Sequence, residues 1–336
     1  MSNFKTEDIR PSDLMAQKQW AVEADKQFLL DRLDQFVQSN CPACGSANSG
    51  EWGNKEGFTY HQCADCKTHF TNPRPSTELL GQFYRQSKNY EVWNSVIFPA
   101  TEKTRKDKIF TPRAKQTVAL CKHYGSSGGT MLEVGAAYGI YCEAIREQNF
   151  FDHIIAVEPT PGHAETCRRK GFETYEETIE ELSHPTGQAD VIAAFEVIEH
   201  LSEPSLFVKK TSEYLKPGGI FIGSCPNGIS LGGLLLKEKF SSFDHEHTTL
   251  FNPESMAIML KSCGLEPLEI TTPGELDVDL LINQVNDPSE IDCPIIQQIL
   301  PDPDSNVIEK LQEFVKAAKL SSHMWFVARK PTPPSS

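Results

Sequence analysis

What this chain lacks narrows the field first. No window holds the roughly 20 consecutive apolar residues that cross a bilayer, so no membrane span is expected. The opening stretch, MSNFKTEDIRPSD, is polar and shows no secretory leader pattern, and a cytoplasmic location is expected. There is no internal repeat, which excludes repeat architectures. There is also no long low-complexity segment; only the tail, 331–336, is Pro/Ser-rich, and it is expected to be disordered. Positive charge is scarce. Lys and Arg number 32 against 46 Asp and Glu, a formal net charge of −14, so nucleic acid and other polyanions would be repelled. The densest basic stretch, KTRKDK from Lys103 to Lys108, with Arg113 and Lys115 beyond it, reads as a solvated helix face.

The 336 residues are 39% hydrophobic, enough for one large domain or two modest ones. Ten cysteines in a reducing compartment call for something other than disulfides. Six of them (Cys121, Cys142, Cys167, Cys225, Cys263 and Cys293) are scattered and read as small core residues. The other four form two tight pairs, C-x2-C, eighteen residues, then C-x2-C. Each pair can make a knuckle whose two thiolates point at one ion, with Gly45 at a tight turn and Trp52, Phe58 and Tyr60 supplying strands for a ribbon over 39–75. The spacing predicts zinc on Cys41, Cys44, Cys63 and Cys66. Four protein thiolates leave no open coordination position, so the ion is structural. A thioredoxin-like redox site is the rival, but it needs one pair, not two. His61 and His69 read as surface or packing residues.

The stretch Thr130 to Glu147, TMLEVGAAYGIYCEAIRE, carries the next signal. Met131 and Leu132 read as a buried strand closed by Glu133. Gly135, Ala136, Ala137 and Gly139 make a small-residue turn. Ile140, Ala144 and Ile145 mark one side of a following helix. Strand, glycine turn and helix together point to a nucleotide-cofactor site, because small residues allow close backbone approach and helix-start N–H groups favour negative charge. The spacing is not G-x-G-x-x-G, which weakens a nicotinamide reading, although an acid about twenty residues on fits both.

Elsewhere the pattern predicts a helix over Ser12 to Val37 in an N-terminal unit, 1–38, that packs on the body of the protein or, alternatively, mediates dimerisation. A helical connector follows over 76–126, with a Ser76-capped helix at Thr77 to Tyr84 and a longer one at Lys103 to Tyr124, interrupted near Pro112. Strands are predicted at His153 to Val157, Glu173 to Tyr175, Ala189 to Phe195, Ile220 to Gly223, Pro267 to Thr271 and Met324 to Ala328. Helices fall between them, giving a doubly wound α/β sheet over 127–330. A polar, mostly helical insertion spans about 277–322.

With these motifs in place the chain resembles the class I S-adenosylmethionine-dependent methyltransferases, through EVGAAYG, VEP, ADVIAAFEVIEHL and LKPGG. CPACG, CADC and NPRPS upstream, with DHEHTTLFNPESM, TPGELDVD and SHMWFVARK downstream, make it similar to the zinc-ribbon methyltransferases of bacterial sugar and surface-polysaccharide pathways. The resemblance implies a Rossmann-like seven-stranded sheet with an antiparallel last strand. It implies S-adenosylmethionine at the C-terminal strand edge, with Glu133, Gly135 and Gly139 at its methionine portion, beside Ala136 and Tyr138. Glu158, followed by Pro159, would take the two ribose hydroxyls; Phe195 and Glu196 would floor the sulfonium, Glu177 would meet the adenine edge, and Tyr90, with Asn89, would close over the cofactor. The family's middle glycine is Ala137 here.

Transfer to a hydroxyl, or to a carbon beside a carbonyl, needs a base, and histidine suits that near neutral pH. The resemblance places a Glu-His pair after the fifth-strand region, which matches Glu246-His247. His247 is therefore the first candidate base, His245 the second and His200 the third, with capping or packing as the alternative for His200. The expected acceptor is a small molecule, a sugar or sugar nucleotide methylated on oxygen or carbon. A quinone-type O-methyltransferase stays open, since the core motifs are shared. An RNA methyltransferase gripping nucleic acid with the ribbon is disfavoured by the acidic balance and by a ribbon in which Lys55 and Lys67 stand nearly alone. A non-catalytic module is disfavoured by the intact Glu133, Gly135 and Glu158.

Overall fold

A computed structural model describes residues 11–183, 185–285, 287–291, 293–299 and 305–333. The start of the N-terminal unit (1–10), parts of the 277–322 insertion and the end of the tail (334–336) lie outside them.

Seven strands build the central sheet: β1 (Thr130–Val134), β2 (His153–Val157), β3 (Glu173–Tyr175), β4 (Ala189–Phe195), β5 (Leu215–Pro226), β6 (Glu266–Thr271) and β7 (His323–Arg329). Their order across the sheet is β6-β7-β5-β4-β1-β2-β3. Strands β1 to β5 run parallel, while β7 pairs antiparallel with both β5 and β6. The Rossmann-like sheet and its antiparallel last strand are as the resemblance implies. Alternate residues feed opposite layers. Met131, Val191, Ile220, Ile222 and Val327 pack on the helices Thr111–His123 and Ile140–Arg146. Leu132, Ile192, Phe221 and Phe326 face the helices Pro204–Tyr214 and Pro253–Ser262. Strand order reverses between β1 and β4, which is where an open α/β sheet presents its ligand crevice.

The ribbon is not self-contained. Strands Ser49–Lys55, Phe58–Cys63 and His69–Thr71 are joined by Thr249–Leu250, taken from the far end of the DHEHTT segment. Cys41, Ala43, Cys63, Cys66 and Phe70 share one core with the second layer of the sheet. His69 is buried and packs on Trp52 and Phe243. The N-terminal helix stops at Leu30, short of the predicted Val37, because Phe36–Val37 pairs as a short strand with Arg74–Pro75. The connector holds more helix than its pattern shows. From Lys88 to His123 the chain is helical throughout, with π-turns at Trp93–Ile97 and Lys106–Phe110 that shift the register of everything after them. Pro112, which lacks an N–H for the helix ladder, follows just after the second π-turn, where that ladder is already irregular.

Candidate active site

The site begins at the glycine turn. Gly135 has φ +76° and Gly139 +71°. At Gly135 an added Cβ would meet Val197 Cγ2 at 2.5 Å, so both backbone and space demand glycine there. Ala137 is left-handed too, at φ +46°. Its strain is offset by the carboxylate that ends β2: the Ala137 N–H donates to Glu158 Oε2 at 2.7 Å, and the Thr160 N–H to Oε1 at 2.8 Å. Each Glu158 oxygen keeps a lone pair for a further hydroxyl. Burial works against ionisation of Glu158, but the nearby His163 ring and Thr160 outweigh it and hold the carboxyl below its ordinary value.

A cavity of about 450 Å³ opens over this turn. Glu133, Gly135, Ala136, Tyr138, Glu158, Pro159, Glu177, Phe195, Glu196, Tyr90 and His200 all line it. Gly139, His245 and His247 do not. Gly139 serves the turn itself, packed against Cys167. The Glu177 carboxylate accepts from the Ser183 N–H at 2.7 Å and so folds its own loop. Glu196 lies in the left-handed region at φ +57° and accepts from Ser224 Oγ at 2.5 Å, with His323 Nε2 at 3.1 Å. Burial would raise the Glu196 pKa; the charges of His323 and Arg113 win, and it sits below its ordinary value.

Arg113 also lines the cavity, its guanidinium 4.6 Å from the centre of the Phe195 ring. With Arg105, another wall residue, it falls in the stretch whose pattern predicts a solvated helix face. Eight residues apart, they fall about 80° apart on a plain helical wheel, and the π-turn at Lys106–Phe110 between them narrows that spread. Tyr84, Trp93, Phe98 and Tyr141 also line it without being singled out as site residues by the sequence, and so does Glu246 of the predicted Glu-His pair.

Glu133 is buried and accepts from Cys142 Sγ at 2.7 Å. Burial pushes its pKa up to about 8 despite that bond and Arg113. A cationic ammonium at this carboxylate needs it ionised. Affinity for a ligand with an ammonium group at this carboxylate is therefore expected to tighten as pH rises from 6 to 8. Glu133→Gln should weaken binding about tenfold at pH 8 and flatten the trend, as read by calorimetric titration. In the apo protein the sign is opposite. The folded state holds the Glu133 proton up to about 8 while the unfolded chain releases it near 4.5, so this group's contribution to stability falls across that window.

The opposite wall comes from outside the sheet. Tyr84 and Tyr90 stack with centroids 5.9 Å apart, and Tyr84 OH donates to the His200 carbonyl at 2.8 Å. Asn89 Nδ2 donates to Glu246 Oε1 at 2.6 Å. Buried Asp25 of the N-terminal helix fixes this segment by accepting from Ser87 Oγ and from the Lys88 and Asn89 N–H groups.

His200 Nδ1 lies 3.1 Å from the Glu246 carbonyl, and His247 Nδ1 lies 2.8 Å from the Ser242 carbonyl. A carbonyl only accepts, so both rings carry hydrogen on Nδ1 and leave Nε2 free to take a proton. The rings are 4.8 Å apart. Burial, with the His247 ring close by, pushes the His200 pKa down to about 4, so it is a neutral imidazole near pH 7. Behind them Glu199 is fully buried with neither carboxylate oxygen bonded. Burial and Glu196 raise its pKa well above the ordinary value. An atom from each of Glu199, His200 and His247 falls within 4.8 Å of the others, a spread that one cation could bridge but too wide for a direct hydrogen bond. The first-ranked base of the sequence reading, His247, thus stands behind His200 and off the cavity wall. His245, the second, is buried beside Phe83. The third, His200, is the one that reaches the cavity.

The four ribbon cysteines converge as well. Cys41 and Cys66 Sγ are 3.5 Å apart, Cys44 and Cys63 3.6 Å. Those separations are far beyond a disulfide's roughly 2 Å. They match the edge of a tetrahedron with metal–sulfur distances of about 2.3 Å, so the thiol set fits one zinc ion.

Residues 107–270 match the family described as "Methyltransferase domain". Among curated proteins the chain is similar to the ubiquinone biosynthesis O-methyltransferase of Xylella fastidiosa strain M23, 26% identical over 160 residues, covering 44% of this chain and 64% of that protein. It is also similar to the protein of the same name from Ruegeria pomeroyi, 24% identical over 156 residues, covering 43% of this chain and 62% of that one. The chain thus spans a little under two thirds of the length of these relatives. Among solved structures, phosphoethanolamine N-methyltransferase 2 of Haemonchus contortus with S-adenosyl-L-methionine aligns over 65% of this chain and 53% of that one, at 17% identity and a TM-score of 0.46. The family match covers 107–270, which holds β1 to β5 and the glycine turn.

Proposed function

We propose that the whole chain methylates a hydroxyl, or the carbon beside a carbonyl, of a sugar or sugar nucleotide destined for a polysaccharide or glycoside. S-adenosylmethionine would lie over the glycine turn and supply the electrophilic methyl group. Glu133 would meet its ammonium and Glu158 its ribose hydroxyls. Glu196, locked by Ser224 and His323, would keep a negative charge near the sulfonium. On the acceptor side His200 Nε2 would receive the proton as the new bond to the methyl carbon forms and the sulfur–carbon bond breaks. Tyr90 and Glu246 would orient the acceptor, holding it in line for displacement. Zinc on Cys41, Cys44, Cys63 and Cys66 would brace the ribbon and take no part in the chemistry.

One observation supports this reading most. The cavity has two differently built halves: carboxylates at strand ends on the donor side, and tyrosines, Glu246 and a neutral histidine on the other. The acceptor half draws on Tyr84 and Tyr90, which precede the matched 107–270 span. A second reading, O-methylation of a phenolic quinone precursor, is favoured by the names of the curated relatives. Incubation with methyl-labelled cofactor, a set of nucleotide sugars and a set of catechols separates the two. Label on a nucleotide sugar supports the first, label on a catechol the second, and label on neither removes both.

A further inference from the structure

Arg74 leaves the ribbon on the short strand Arg74–Pro75 and is 1% exposed. It has no ion-pair partner among the described residues. A lone guanidinium in a protein interior costs several kcal/mol unless hydrogen bonds compensate. Its bonds converge on two segments that are remote in sequence. Arg74 Nη2 donates to the Leu201 carbonyl at 2.8 Å, to Thr248 Oγ1 at 2.8 Å and to Thr249 Oγ1 at 3.1 Å. Leu201 directly follows His200, and Thr248 directly follows His247. Thr248 Oγ1 closes the triangle by donating to the Leu201 carbonyl at 2.9 Å. The guanidinium does not line the cavity, so it acts only through what it holds.

We propose that Arg74 is a positioning residue that fixes the His200 segment against the His247 segment and so aims the His200 imidazole at the acceptor. All three bonds leave Nη2, while Nε has no partner; lysine in its place keeps the charge, but its ammonium ends one bond short of Nη2 and cannot reach the three acceptors unless they shift. The role rests on His200 being the base, so the test has a readout that needs no turnover. Arg74→Lys and Thr249→Val are compared with wild type for imidazole resonances, zinc content, S-adenosylmethionine affinity and transfer rate. In Arg74→Lys the His200 and His247 resonances should move and kcat should fall about tenfold to a hundredfold, as expected for a displacement of under about 1 Å. Zinc content, donor affinity and KM should stay within about twofold. Thr249→Val should move the same resonances with a smaller loss. Unmoved resonances and unchanged kcat in either folded variant would overturn the proposal. Should Arg74→Lys fail to fold, Thr249→Val decides alone. Resonances that move in a protein whose wild type transfers no methyl group would uphold the clamp and remove the functional reading.

Discussion

Stripping the ribbon of its ion is expected to stop methyl transfer while leaving the donor cradle largely able to bind. Four thiolates around zinc supply on the order of 10 kcal/mol of folding free energy to a small ribbon. What depends on that ribbon here is the segment Asp244 to Leu250. Tyr60 OH donates to the Asp244 carbonyl at 2.5 Å and approaches the His247 carbonyl at 3.3 Å. Thr249–Leu250 pairs with Phe70 and His69, and Asn252 Nδ2 donates to the Cys66 carbonyl at 2.8 Å. Without the ion these anchors go, and with them the support of Glu246 and of the His200 ring. The glycine turn, by contrast, is held by β1, β2 and Glu158. Purified protein should carry about one zinc per chain. Cys63→Ser should lose it, transfer should drop by more than about a hundredfold, and donor affinity should change by less than about tenfold. Zinc-free protein with full transfer would show that the metal-closed ribbon does not brace the site, and a ribbon that binds iron would overturn the choice of metal.

Replacing His200 should cost more than replacing His247. General bases contribute about 10² to 10⁴ in rate. His200→Ala should lose that much in kcat with donor affinity intact. His247→Ala should lose about tenfold, because its ring only backs His200. The pH profile carries a matching sign. With its pKa pushed down to about 4, His200 is uncharged and competent through neutral pH, and kcat, measured with donor and acceptor saturating, should fall only as pH drops toward that value. Equal losses in the two variants, or an intact His200→Ala enzyme, would return the role to another group.

How far the sequence carries depends on how local the determining physics is. β2 and β4 fall on the predicted residues, because buried parallel strands are short apolar runs bounded by acids and turns. The four thiols and the glycine turn were equally legible, since both are short motifs with fixed spacing. Arg113 was not. Its place on the cavity wall depends on how the continuous 88–123 helix docks over the glycine turn, which no local pattern signals, so a basic run read as a solvated face in fact sends Arg105 and Arg113 into the cavity. Nor was the ranking of the histidines. Whether His200 or His247 reaches the cavity is set by Thr249–Leu250 joining the ribbon, a contact between segments far apart in the chain. Ser242 and Glu246 then fix the ring hydrogens through backbone carbonyls, which carry no side-chain signature.

The most direct test of the account is calorimetric titration of the folded, zinc-loaded protein with S-adenosylhomocysteine, alongside Glu158→Ala and with NAD as a control. One binding event per chain in wild type, weakened at least about tenfold in Glu158→Ala and absent with NAD, is the result expected from a carboxylate that receives the ribose hydroxyls. No heat from wild type, undiminished binding in Glu158→Ala, or tight binding of NAD would contradict it.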